Sequence, residues 1–495
     1  MEYKSFQMVM EKLGDWQEKT VLVIGAARQG IALASYLVSH GAKVIINDQK
    51  PAEELYSAKT QLDSMDEIDQ NRIVWACGGH PLELLDGVDL VCPSGGVPLS
   101  LNLIVEARAR GIPLSNDSQI FLEGVPCDVV GITGSAGKTT TTALVGQIAE
   151  RTTISGKKEG NNSYHESEDV RHIRKVWVGG NIGKPLLSDL EDMLTNDLAI
   201  LELSSFQLEI MTKSPRIAAI LNLTPNHLDR HESMENYISA KQRILDFQGK
   251  EDYAILSRDD DGSWKLIEKV KGKCVTFGFH KPDHDQVGAY LDHGMICMWD
   301  GKTKYEVIEK SAIKLRGEHN ISNVLAACAI CLAARLPVWA ISTGITEFRS
   351  VPHRLEFVRS WRGADWYNDS IATAPERSMA AMRSFTEPIV LLAGGRDKEL
   401  PWDDFARLVQ QRVDHLILFG EAAQKISTAI GPYRSGTRPY TISLCKTMRQ
   451  AVEAAVNVVE PGDIVLLAPG GTSFDEFRDF EERGEAFTKW VNELV

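Results

Sequence analysis

Residues 131–146 read GITGSAGKTTTTALVG. The apolar strand DVVGIT runs into a turn of small residues, and a helix opens at Lys138-Thr139. Small residues expose successive backbone N–H groups, and a helix N-terminus adds positive potential, so the stretch suits phosphate. The lysine offers charge to β- and γ-phosphates, and the Thr139 hydroxyl offers Mg²⁺ a ligand. The standard loop, G-x-x-x-x-G-K-[ST], places glycine six residues before the lysine, where this chain has Ile132. The spacing therefore predicts a variant phosphate loop. An ordinary glycine turn with a solvated lysine is the plain alternative, and the G-K-T-T run directly after an apolar strand speaks against it.

The segments that follow share one design. VWVGGNIGKPLL, LAILELSSFQLE and IAAILNLTPNHLDRH each read as a strand running into a polar edge. Ligands of open parallel sheets gather at such carboxyl ends, so these edges predict one shared site. Glu202 ends its strand beside the expected loop, within reach of a hard, oxygen-seeking cation such as Mg²⁺. His227, Asp229 and His231 lie close together in NHLDRH. A zinc site would need an H-E-x-x-H pattern or a third ligand at a useful spacing, and neither is present. A histidine in an oxygen-rich Mg²⁺ site and a helix-capping turn both stay open. Lys241, in YISAKQRI, sits on an amphipathic helix and alone reads as a solvated face. Asn320 and Asn323, in GEHNISN, share one helical face, as adenine-reading amides or as caps.

The rest of the chain sets the frame. Its 495 residues predict about three α/β domains, 1–117, 118–350 and 351–495. Segment 19–50 reads strand, glycine turn, helix, strand, with Asp48 where a ribose-binding acid would stand. Its turn, Gly25-Ala26-Ala27-Arg28-Gln29-Gly30, has Ala27 where a pyrophosphate needs the close approach that glycine allows. A Rossmann-like first domain that does not bind NAD is expected, continuing through VDLVCPSGGVPLS, the helix LNLIVEARARG and the strand IPLSN. Residues 151–175 read as an exposed loop, 251–315 as a mixed region, and 324–341 as a buried helix too short and interrupted to span a membrane. The third domain opens near VPHRLEFVRSWRGADWYNDS and continues through the strands PIVLLAGG, HLILFG and DIVLLAPGG. A net charge of −14 opposes nucleic acid and anionic membranes as partners. The acidic, interrupted N-terminus is no secretory signal, and eight scattered cysteines fit a reducing cytoplasm. Cys328 and Cys331 read as core neighbours on one helix and not as zinc ligands.

Taken together, TGSAGKTT, GGNIG, ELSSFQLE, NHLDRH, YISAK, GEHNISN, PHRLE and NDSIAT resemble, in that order, the motifs of the Mur ligase family. The resemblance spans the whole chain and is greatest to the D-glutamate-adding branch. It accounts for the shifted glycine, because this family uses T-G-x-x-G-K-[ST] and turns at Gly134. It implies an α/β fold of three domains: Rossmann-like, central P-loop-type ATPase with a mostly parallel sheet, and C-terminal Rossmann-like. It implies a cytoplasmic, monomeric enzyme of peptidoglycan synthesis that joins D-glutamate to UDP-N-acetylmuramoyl-L-alanine, using ATP and Mg²⁺ through an acyl-phosphate. By position, Gly134, Gly137, Lys138, Thr139 and Thr140 would hold the phosphates. Thr139, Glu202, His227 and a carbamylated Lys241 would serve the metal, with Lys138, Glu202, His227 and Lys241 as the catalytic set. Asn320, Asn323, Arg354 and Asp369 would border the nucleotide. Arg28, Gln29, Asp48, Gly96, Asn181 and Ser204 would face the UDP-linked substrate, and Thr373, Lys398, Ser473 and Phe480 the D-glutamate. The family's N-D-S-K-A-T-N is Asn368-Asp369-Ser370-Ile371-Ala372-Thr373-Ala374 here, so a basic side chain is lost at Ile371. The usual S-P-G is Ser94-Gly95-Gly96, and the 151–175 loop is longer than usual. The alanine-adding and diamino-acid-adding branches and folylpolyglutamate synthase are the nearest alternatives. The diamino-acid branch carries a D-N-P-R-type motif absent here, and folylpolyglutamate synthase lacks the first domain. A regulatory NAD sensor with a relict ATPase is the alternative from another class.

Overall fold

A computed structural model describes residues 16–64, 69–153, 173–226, 228–283, 286–431 and 436–494. Runs such as TVLVI, LAILE and IVLLAG become strands covered on both faces, as uninterrupted apolar stretches must in parallel sheets. Among the described residues three sheets result. The first contains β1 (Thr20–Ile24), β2 (Lys43–Asp48), β3 (Ile73–Cys77) and β4 (Leu90–Pro93) in the order β3-β2-β1-β4, all parallel.

The second sheet contains β5 (Asp128–Thr133), β6 (Val176–Gly180), β7 (Leu198–Glu202), β8 (Ile217–Ile220), β9 (Tyr253–Ser257), β10 (Lys273–Gly278), β11 (Val287–Asp292), β12 (Met295–Trp299) and β13 (Lys304–Glu309). Their order is β13-β12-β11-β10-β9-β8-β5-β7-β6, parallel from β6 to β11 and closed by an antiparallel edge. The mixed region expected at 251–315 thus extends this sheet. The third sheet contains β14 (Glu356–Trp361), β15 (Ala364–Asn368), β16 (Ile389–Gly394), β17 (Val413–Phe419), β18 (Thr441–Cys445) and β19 (Ile464–Gly470), in the order β14-β15-β19-β16-β17-β18. Only the β14–β15 hairpin in it is antiparallel.

The chain divides into two compact units. One takes residues up to Lys314 together with Glu318–Phe348, and the other takes Leu315–Gly317 with Arg349 onward. In the first unit a single apolar cluster runs from Ile31, Leu33 and Leu37 to Leu186, Met193 and Leu208, so helix Arg28–Ser39 packs where the first two sheets meet. In the second, Leu391, Leu416 and Leu466 on one sheet face and Leu392, Ile417 and Val465 on the other bury separate clusters under helices.

Two local expectations are corrected. The stretch 324–341 is two helices, Glu318–Ala333 and Val338–Glu347. Arg335 takes a positive φ of 58° and Pro337 caps the second helix, because proline cannot continue the first. IPLSN makes only an isolated bridge, Val91 to Leu114. Cys328 and Cys331 are buried side by side in the first of those helices, as expected, and all eight cysteines are free. Most of the 151–175 loop lies outside the described residues. No helix among the described residues is long and apolar enough to cross a membrane.

Candidate active site at the carboxyl ends of β5, β7 and β8

The variant loop leaves β5 at Thr133 and enters helix Lys138–Glu150. Gly137 is its N-cap with φ +83°, a conformation that L-residues rarely adopt. A Cβ there would also overlap the Asn323 side chain. The loop is held from the neighbouring strand ends. Ser135 N donates to Asn222 O at 2.9 Å. Ala136 N donates to Asn222 Oδ1 at 2.8 Å, and Asn222 Nδ2 donates back to Ala136 O at 3.1 Å. The Ser135 hydroxyl bonds Thr224 O and the Tyr237 hydroxyl. Sequence reasoning missed Asn222 and Tyr237. The only available signal for Asn222 was its place in the polar edge after β8.

Two lysines converge on this loop. Lys138 Nζ donates to Gly134 O at 2.9 Å and to Ser135 O at 3.3 Å. Lys241 Nζ donates to the same Gly134 O at 3.0 Å and to Thr133 Oγ1 at 3.1 Å. Lys241 was indistinguishable from a solvated helical lysine by periodicity, yet it is only 2% exposed. Burial, then the Lys138 charge, hold its pKa well below the ordinary lysine value, opposed by Glu202.

Glu202 ends β7 and is buried. Its Oε1 accepts from Asn181 Nδ2 at 3.0 Å, while Oε2 has no hydrogen-bond partner. Gly180 makes that approach possible: its φ is +105°, and a Cβ would stand 2.5 Å from Glu202 O. An orphaned buried carboxylate oxygen costs free energy unless a ligand meets it. Thr139 and Thr140, in the first turn of the loop helix, are also buried. Asn323 Nδ2 donates to Asn320 Oδ1 at 3.0 Å, so the two amides form one pair beside Gly137.

The remaining first-unit residues form a second group. Arg28 donates to Gly183 O at 2.8 Å. Arg230 donates to Gly96 O at 3.2 Å. A Cβ on Gly95 would meet Gln29 Oε1 at 3.7 Å and Ser204 Oγ at 4.0 Å, which puts both beside that turn. Ser204 caps helix Ser205–Leu208 in a capping box with Gln207. Asp48 takes Ala26 N at 2.8 Å and Lys50 N at 2.9 Å, so its carboxylate closes the glycine turn from inside. His227 lies outside the described residues. His231 is buried, bonds the Ser205 hydroxyl and stacks on Phe206. Among the described residues no cluster of three or more His, Cys, Asp or Glu could hold a metal.

The second unit holds the other predicted residues. Asp369 is buried and accepts from Leu355 N at 3.0 Å. Burial raises its pKa to about 6, against the Leu355 bond and the charges of Arg354 and Arg377. Ser370 Oγ donates to Phe480 O at 2.8 Å, and the buried Arg483 ties this loop to Gly471 through Ser370 Oγ, Ser370 O and Gly471 O. Thr373 N donates to Ile371 O at 2.8 Å. Ser473 is buried and its carbonyl takes Glu476 N and Phe477 N. The exposed Lys398 is held below the usual lysine range by partial burial and by Arg377 and Arg483.

The family profile described as the Mur ligase middle domain matches residues 132–331, and that of the Mur ligase glutamate ligase domain matches residues 353–471. UDP-N-acetylmuramoylalanine--D-glutamate ligase of Acetivibrio thermocellus is 36% identical over 98% of this chain and 99% of its own. The same-named protein of Symbiobacterium thermophilum is 36% identical over 96% and 98%. UDP-N-acetylmuramate-alanine ligase MurC of Thermotoga maritima superposes with a TM-score of 0.52 at 17% identity, covering 96% of this chain and 99% of its own.

Proposed function

The chain belongs to the Mur ligase family, and from that premise we propose that it joins D-glutamate to UDP-N-acetylmuramoyl-L-alanine in peptidoglycan synthesis. It is an ATP-dependent ligase. The observation that carries the reading is the convergence of Lys138 and Lys241 on one loop, with Glu202, bonded by Asn181, at the adjoining strand end and in the electrostatic reach of Lys241. We assign residues 1–117 to the UDP-linked substrate, 118–350 to ATP and 351–495 to the amino acid. The reaction belongs to the cytoplasm, with a monomer acting on small molecules. The net charge of −14 supports such partners over nucleic acid.

A carboxylate resists amines because its charge repels them and oxide is a poor leaving group. The terminal carboxylate oxygen of the UDP-linked substrate attacks the γ-phosphorus of ATP, the bond to ADP breaks, and an acyl-phosphate forms. The neutral amine of D-glutamate then adds to the carbonyl carbon, its nitrogen loses a proton to solvent, and the tetrahedral intermediate expels phosphate. Positioning and charge neutralisation are the protein's share of this work. Lys138 exchanges Gly134 O and Ser135 O for phosphate oxygens, and the N–H groups opening the helix at Lys138, Thr139 and Thr140 point to the same phosphates. The Asn320–Asn323 pair borders the base, and by the family pattern we also assign Arg354 and Asp369 to the nucleotide. Asn181, Ser204, Arg28, Gln29, Gly96 and Asp48 orient the UDP-linked substrate. Lys398, Thr373, Ser473 and Phe480 receive the amino acid.

Mur ligases use Mg²⁺. The residues present fit it: Glu202 offers its unpartnered oxygen, Thr139 a hydroxyl, and we add His227 from the family pattern. Bound there, the ion neutralises charge on the β- and γ-phosphates. Lys241 completes the donor set as a carbamate. Its depressed pKa supplies the neutral amine that reacts with CO₂ and loses a proton, and the product presents two oxygens that share one negative charge.

The experiment is trapping. With hydroxylamine in place of D-glutamate, the hydroxamate of UDP-N-acetylmuramoyl-L-alanine accumulates with ATP turnover. Its absence, with ligation proceeding normally, removes the acyl-phosphate that hydroxylamine can reach.

A further inference from the structure

The second unit gathers three cations around the loop 368–374. Arg483 is 1% exposed and each of its three nitrogens already donates: Nε and Nη2 hold Ser370, and Nη1 holds Gly471 O. Lys398 is exposed, and after partial burial the charges of Arg377 and Arg483 hold its pKa below the usual lysine range. Arg377 stands in the first turn of helix Pro375–Arg383, exposed, with one long bond from Nη1 to Ile371 O at 3.4 Å. Among the described residues none of the three makes an ion pair within 4.0 Å. Asp475 and Glu476 offset Arg483, and Asp369 lies in the field of Arg377, but the charged neighbours of Lys398 are the two arginines, and a surface where cations outweigh their partners suits an anionic ligand.

A dicarboxylic amino acid brings two carboxylates, and Lys398 can meet one. Arg483 has no fork left to offer. We propose that Arg377 binds the α-carboxylate of the incoming amino acid, with Lys398 left for the side-chain one, and so selects a dicarboxylate over a monocarboxylate. This rests on the amino-acid-ligase reading above. The guanidinium is at the right end of the right helix: Thr373 precedes it by one turn, and its existing contact is the backbone of the same loop. A planar fork pairs two N–H groups with a carboxylate, which one weak backbone bond leaves free to happen. The loop itself has no base at Ile371, so the charge comes from outside it.

The test is steady-state kinetics of wild type, Arg377→Ala and Arg377→Lys, varying D-glutamate, ATP and 4-aminobutanoate separately. The last lacks the α-carboxylate. In Arg377→Ala, the KM for D-glutamate should rise about 10- to 100-fold, while the KM for ATP stays within about 2-fold. Preference for D-glutamate over 4-aminobutanoate should fall by a similar factor, and Arg377→Lys should recover part of it. An unchanged KM for D-glutamate overturns the proposal, as does a rise confined to ATP, which would make the guanidinium a phosphate reader. Wild type that ignores D-glutamate altogether would instead defeat the underlying ligase reading before any variant is compared.

Discussion

Lys138 and Lys241 donate to one atom, the carbonyl oxygen of Gly134, at 2.9 and 3.0 Å. Two ammonium groups on one acceptor repel each other, and one of them is buried. The arrangement favours loss of charge from Lys241, whose pKa is held well below the ordinary lysine value by burial first and Lys138 second.

Lys241 should therefore carry CO₂. ¹³C NMR of enzyme equilibrated with ¹³CO₂ should show a carbamate resonance that Lys241→Ala lacks. Lys241→Ala should lose activity by roughly 10² to 10⁴ and regain part of it with formate or acetate. Lys241→Arg should not respond, because it keeps the charge and fills the space. An active Lys241→Ala needing no carboxylate, with no adduct on wild type, would leave Lys241 a buried structural lysine.

Asn222 should matter although it touches no expected ligand. Its amide satisfies both Ala136 N and Ala136 O, so it fixes the backbone that faces phosphate. Asn222→Ala should cost about 1 to 3 kcal/mol of stability and raise the KM for ATP by about 10-fold. Thermal melts and nucleotide titration check it. Melting and ATP KM both equal to wild type would show that the loop holds its shape unaided.

Asn222 also shows where the sequence stops being legible. The sheets were readable because LAILE or IVLLAG can only be strands buried on both faces, and the loop was readable because glycine, lysine and threonine have few other uses after such a strand. Glu202 was placed by its strand end. Lys241 was not, since helical periodicity gives a face but not what covers it, and only the family pattern singled it out. Asn222 and Arg483 were missed because their roles are hydrogen bonds to backbone distant in sequence, which leave no periodic trace. Arg335 and Pro337 were seen as interruptions, yet their effect, two helices in place of one, came from backbone dihedrals. Spacing placed the first sheet's Asp48 at its strand end, but not the two backbone N–H groups that its carboxylate takes in closing the turn.

Asp369 should give the enzyme an acid-side stability signature. Its folded pKa of about 6 lies above the ordinary 3.8, chiefly through burial. The folded state thus keeps a proton that the unfolded chain has released. That contribution is fully present below pH 3.8 and is lost as pH rises through about 6. Asp369→Asn should be more stable than wild type above that window and lose the slope within it, a change on the order of 3 kcal/mol across the window. Denaturant titrations at steps between the two pH values check this. Parallel profiles for the two proteins would show that Asp369 does not titrate there.

The central claim, a ligase for D-glutamate, is tested most directly by phosphate release with ATP, Mg²⁺ and UDP-N-acetylmuramoyl-L-alanine, each amino acid being offered in turn. Strong stimulation by D-glutamate, and little by L-glutamate, L-alanine or meso-diaminopimelate, is the predicted result. Equal or greater stimulation by any of the other three would contradict it.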